Sequence, residues 1–139
     1  MFQRATCTAQ ALGILDKTHD AMFDAVWKTG ELAISDPKTH ALKQRLPTIE
    51  DAARYYNRIS GIAVDQFLAA SKSFSVDAAM RHADALILAY HIDGTPSLIV
   101  NGKYRITGQS AGGMQQMIEL AKWLVAKESQ PGHSASARP

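Results

Sequence analysis

The chain is poor in sulfur chemistry. Its 139 residues hold one cysteine, Cys7, so no disulfide can close within it and no Cys-X-X-Cys pair exists. Thiol–disulfide exchange needs an attacking thiolate, a leaving sulfur and a resolving cysteine. One thiol cannot run that cycle, and the sequence predicts a redox-dead chain. Arg4 is the one basic residue a helical turn from Cys7, which is little activation for a thiolate; the residues favour a small apolar side chain on a helix face. No apolar run reaches the roughly 18 residues of a membrane span. The stretch Met1–Cys7 has no basic segment followed by an apolar core, as a secretory leader would. The net charge is only +2, with signs interleaved, which argues against nucleic acid as a partner.

Ligand-binding signatures are equally scarce. His19, His40, His82, His91 and His133 show no metal-ligand spacing, so no metal is expected. His19 with Asp16 and Asp20 reads as a surface cluster, and the pairs His82–Asp84 and His91–Asp93 read as solvated neighbours. No Gly-x-Ser-x-Gly elbow occurs. Gly108-Gln109-Ser110-Ala111-Gly112-Gly113 lacks the lysine of a phosphate loop and reads as a tight strand-to-helix turn. No cofactor is called for.

What remains is a globular composition, 46% apolar and 20% charged, of a length suited to one modest core. Phe2, Ala5, Ala9 and Leu12 recur at helical spacing up to Gly13, with no capping residue ahead of them. A second helix is predicted over Thr18–Thr29, its stripe Ala21, Met22, Ala25 and Val26 widened by Phe23 and Trp27, with Gly30 as its stop. Residues 31–47, with Ser35-Asp36-Pro37 and Leu46-Pro47, read as loop. Thr48-Ile49-Glu50-Asp51 has the form of a capping box opening a helix that runs to Gly61. A short helix follows over Asp65–Ser71. A longer one, capped by Ser75, carries Val76, Ala79, Met80, Ala83, Leu86, Ile87 and Tyr90. Ser110 is predicted to cap the last helix, with the stripe Met114, Met117, Ile118, Ala121, Leu124 and Val125. Trp123 falls on the opposite side of that helix.

Between these helices lies one hairpin signal. Ser97–Val100 and Lys103–Ile106 read as strands joined by Asn101-Gly102, the pair preferred in two-residue type I′ turns because both positions need positive φ. Leu98 and Ile99 point to opposite faces, so both faces are apolar, as in a strand inside a larger sheet. Two strands alone are marginal, so further strands are expected ahead of Met1.

The block Gly94-Thr95-Pro96 through Asn101-Gly102-Lys103-Tyr104 resembles the cis-proline loop and hairpin of thiol:disulfide interchange proteins of the DsbA type, in the thioredoxin-like superfamily. The likeness extends, more weakly, over Phe2–Lys127. It implies an α/β thioredoxin-like fold with a helical insertion, N-terminally incomplete and here a mostly helical chain plus one β-hairpin. Residues 1–90 would be insertion-like, 91–127 the end of the thioredoxin-like domain, and 128–139 a disordered tail. It implies a cis Thr95–Pro96 bond and assigns Gly94, Thr95 and Pro96 to substrate contact, with no catalytic residue present. The implied activity is disulfide introduction into exported proteins in the periplasm, on extended reduced polypeptides, with a membrane oxidase as partner of the full-length protein. Self-association through the exposed strand edge is a further expectation. Two alternatives stand: a non-redox peptide-binding module, and a relative of kappa-class glutathione transferases and hydroxychromene carboxylate isomerases, against which the Asn-Gly-Lys-Tyr turn argues.

Overall fold

The computed structural model describes residues 1–36 and 38–129. Two compact units divide between Ala83 and Asp84, inside a helix.

The first unit is helical: α1 (Phe2–Ala11), α2 (Leu15–Trp27), α3 (Ile49–Ser60), α4 (Val64–Ser71) and the first turns of α5 (Phe74–Ala89). Ala5, Ala9, Ala25, Ala52 and Ala53 are fully buried. Methyl-sized residues at these positions let α1, α2 and α3 approach closely. Tyr56 and Phe67 fill the space between them, their rings stacked at 4.8 Å with 20° between planes. Two buried hydroxyls are satisfied within their own helices, Thr8 Oγ1 on the Arg4 carbonyl at 2.7 Å and Thr18 Oγ1 on the Ile14 carbonyl at 2.8 Å. Arg4 is bound elsewhere. Its Nη1 donates to the Ser71 carbonyl at 2.6 Å and the Asp77 carboxylate at 2.7 Å.

The Thr48 capping box is present. Asp51 N–H donates to Thr48 Oγ1 at 3.3 Å, Thr48 N–H donates to the Asp51 carboxylate at 2.9 Å, and Gly61 ends α3 in the left-handed region at φ 79°. Other expectations shift. α2 begins at Leu15, before Thr18, because Ile14 serves as an N-cap with no side-chain bond. Phe23 and Trp27 do not widen its core stripe; they are 55% and 76% exposed. Ser73 rather than Ser75 stands at the start of α5, accepting from Val76 N–H at 3.4 Å. Of that helix's expected stripe only Val76 is buried. Within the loop before α3, Ser35 and Leu42 form an isolated bridge, and the sequence's loop reading of Pro37 lies outside the described residues.

The second unit holds β1 (Ser97–Val100), β2 (Tyr104–Thr107), α6 (Gly108–Ala111) and α7 (Met114–Glu128). The strands are antiparallel with Leu98 opposite Ile106 and Val100 opposite Tyr104. Asn101 and Gly102 both take positive φ, 51° and 67°, as a type I′ turn requires. The register leaves Lys103 in the loop as well, so β2 starts one residue later than predicted and the turn is one residue longer. Val100 and Ile106 face Met117 and Leu124 of α7, and these four side chains form a small buried cluster.

Only Met117 and Leu124 of the expected α7 stripe are buried; Met114, Ile118 and Val125 are exposed, as is Trp123, whose ring receives Lys127 Nζ at 5.1 Å. α7 is opened by Gly113 without a side-chain cap. Ser110 instead completes a capping box with Thr107 on the short α6. Glu128, grouped with the tail by the sequence, is the last residue of α7, with its side chain only 6% exposed. It receives Lys103 Nζ at 2.7 Å, Asn101 Nδ2 at 2.5 Å and Tyr104 Oη at 3.1 Å. Lys103 first, then Asn101, holds its carboxyl well below the usual range, at about 2. The expected tail beyond Ser129 lies outside the described residues.

Candidate functional site

The site is built on the segment joining α5 to β1. α5 ends with His91 N–H donating to the Leu88 carbonyl at 3.1 Å and Ile92 N–H to the Ile87 carbonyl at 2.9 Å. That pair of bonds is the Schellman pattern, which places one residue in the left-handed region. Here the residue is His91, at φ 50°. The chain then leaves the helix as Asp93, Gly94, Thr95 and Pro96, all exposed. The Thr95–Pro96 peptide bond is cis.

Two side chains hold this loop from outside. On the β1 side, Ser97 Oγ donates to the Gly94 carbonyl at 2.6 Å. On the α5 side, Arg105 reaches across from β2, its Nη1 donating to the His91 carbonyl and lying 3.4 Å from the Asp93 carboxylate. Arg105 pairs in register with Ile99, so its stem leaves the hairpin face opposite the one packed on α7. The Thr107–Ser110 capping box fixes the far wall, with Ser110 N–H donating to Thr107 Oγ1 at 3.1 Å.

Between the loop and that wall opens a cavity of about 510 Å³, bounded by Asp93–Ser97 on one side and by Arg105 and Thr107–Ser110 on the other. All three predicted contact residues, Gly94, Thr95 and Pro96, line it. A Cβ built on Gly94 would meet nothing within 4 Å, so the chain itself does not demand glycine there. Among the described residues no backbone hydrogen bond takes up the N–H or C=O of Thr95. A main chain exposed in this way can accept an extended peptide by strand addition.

Sequence reasoning found the loop and missed Arg105. Its partners are 12 and 14 residues away, and the only local signal was a charged residue inside an otherwise apolar hairpin. Cys7 stands on α1 as a half-buried free thiol. Among the described residues no group of three His, Cys, Asp or Glu side chains could hold a metal ion.

No family model matches the chain. It is 37% identical over 121 residues to the thiol:disulfide interchange protein DsbA of Azotobacter vinelandii, an alignment covering 87% of this chain and 50% of that protein. The crystal structure of Pseudomonas aeruginosa DsbA superposes with a TM-score of 0.70 at 31% identity, covering 90% of this chain and 58% of that one. A Proteus mirabilis DsbA with a non-covalently bound peptide, PWATCDS, superposes with a TM-score of 0.69 at 18% identity, a likeness of fold, covering 91% of this chain and 62% of that one. The chain spans about half the length of the curated relatives it matches. Its mostly helical architecture with one two-stranded sheet is part of a thioredoxin-like fold. Loop, hairpin and these likenesses agree, and together they support a DsbA-type thioredoxin-like protein.

Proposed function

We propose that this chain carries the polypeptide-binding portion of a DsbA-type disulfide-exchange protein and does not itself turn over disulfides. The observation that supports the reading most is the exposed Gly94–Thr95–Pro96 main chain beside the 510 Å³ cavity, in a chain with these DsbA likenesses. An extended substrate would lie along the loop, pairing with the Thr95 N–H and C=O in β fashion. Gly94 leaves room for that backbone. With Cys7 as its one thiol, the chain can form a mixed disulfide but has no second cysteine to resolve it. Within this reading the substrates are extended reduced polypeptides, the setting is the periplasm, and a membrane oxidase serves the full-length protein.

A labelled PWATCDS peptide titrated against the 139-residue chain tests the reading. Binding should shift the backbone amide resonances of Gly94, Thr95 and Ser97, and G94A should weaken it while leaving thermal stability unchanged, because the added Cβ meets nothing within 4 Å. Insulin reduction should show no turnover. Absence of binding, amide shifts confined to other parts of the chain, or measurable turnover would each sink the proposal. The outer edge of β1, unpaired among the described residues, also offers strand groups to a second copy. Light scattering on the same samples should report self-association that rises with concentration, and a monomer throughout would exclude it.

A further inference from the structure

An exposed four-residue loop keeps one orientation only if something outside it holds it, because each unrestrained residue gains backbone entropy. The holding groups around Gly94–Pro96 are unequal. Ser97 adjoins the loop and bonds to it locally, through a single 2.6 Å contact. Arg105 comes from a different element and joins two loop-entrance acceptors at once, the His91 carbonyl and the Asp93 carboxylate. The first of these belongs to His91, the left-handed residue at which the chain leaves α5. Both contacts come from one guanidinium nitrogen, Nη1, which carries two N–H donors on a permanently charged group.

Resting on the peptide-binding reading above, we propose that Arg105 is the positioning residue of this site. It fixes Asp93 and Gly94 relative to β2, so that the Thr95 main chain meets an incoming peptide in one orientation. It acts through the loop rather than by contact with the substrate. Loss of the bridge lets the Asp93–Thr95 segment sample several orientations, and the peptide must then select the competent one. Weakening therefore appears in affinity, not in the stability of the second unit, since Arg105 is exposed and contributes nothing to the Met117–Leu124 cluster.

The test compares the wild-type chain with R105Q, R105K and D93N. Two labelled peptides serve as probes, PWATCDS and the same peptide with asparagine in place of its aspartate. R105Q should weaken both peptides equally, by about tenfold, the scale of one lost charge-assisted bridge. R105K should recover part of that loss, and D93N should weaken both by less, because the carbonyl bond remains. Without any peptide, amide exchange at Gly94 and Thr95 should accelerate in R105Q while the melting temperature stays near the wild-type value. Equal affinity of R105Q and wild type overturns the proposal. So does a loss confined to the aspartate peptide, which would make Arg105 a direct contact. If the wild-type chain binds neither peptide, the peptide-binding reading falls. The exchange measurement then decides the inference alone: unchanged rates at Gly94 and Thr95 overturn it.

Discussion

Phe67→Ala empties the centre of the first unit. The ring is fully buried and stacks on Tyr56 at 4.8 Å, so truncation removes both transfer energy and a ring pair. Full aromatic-to-alanine truncations cost about 3–5 kcal/mol, and a stacked pair contributes roughly 0.5–1.5 kcal/mol of that. The upper half of the range is expected here. The buried cluster that holds Phe67 also contains Ala5, Ala9, Ala25, Ala52 and Ala53, whose methyl groups are fixed to helix backbones and cannot swing in to fill a void.

A unit of 83 residues has a total stability of roughly 4–12 kcal/mol at typical per-residue values. The substitution thus removes a third or more, and the melting temperature should fall by roughly 16–40 °C. Urea titration followed by far-UV circular dichroism is the suitable assay. Tryptophan emission is not, because Trp27 and Trp123 are 76% and 58% exposed and barely report on the core. A loss below about 1 kcal/mol with an unchanged denaturant slope would refute this account of the packing.

The Asp51 carboxyl is held at about 2, against 3.8, chiefly by the Thr48 N–H, with Arg54, the Thr48 hydroxyl and Arg45 adding to it. Its depressed pKa stabilises the fold above about pH 4, and that contribution is lost as pH falls through about 2. D51N should therefore flatten the acid limb of the stability profile in this window, and a wild-type slope in the mutant would contradict it. His91 occupies a left-handed position that costs a side-chain-bearing residue about 1–2 kcal/mol. H91G keeps the carbonyl that Arg105 uses and should raise stability by about 1 kcal/mol in thermal melts; an unchanged or lower midpoint would show that the histidine side chain makes up for its backbone.

What the sequence revealed follows the range of the interactions. The Thr48 box, the Gly61 stop and the Asn101-Gly102 turn were legible because their chemistry closes within four residues. The start of α2 was not, since Ile14 offers no side-chain cap. The sequence placed the cap of α5 at Ser75, whereas Ser73 accepts from Val76 N–H, because which serine does the capping depends on where the preceding helix stops. On α7 the periodicity marked an apolar stripe, but how much of it is covered depends on neighbours, and the cluster with the hairpin buries Met117 and Leu124 and packs Ala121 against them in part. The loop at Gly94–Pro96 was found through likeness to a family. The arginine that braces it was invisible, because its bonds cross a turn and a strand.

The Glu128 carboxylate joins the end of α7 to the tip of the hairpin, with its Asn101 partner 27 residues earlier. Proteolytic trimming that stops at Ser129 would leave Asn101, Lys103 and Tyr104 anchored. Removal of Ser129 and then Glu128 would release all three at once, so fusion partners or affinity tags belong after position 129.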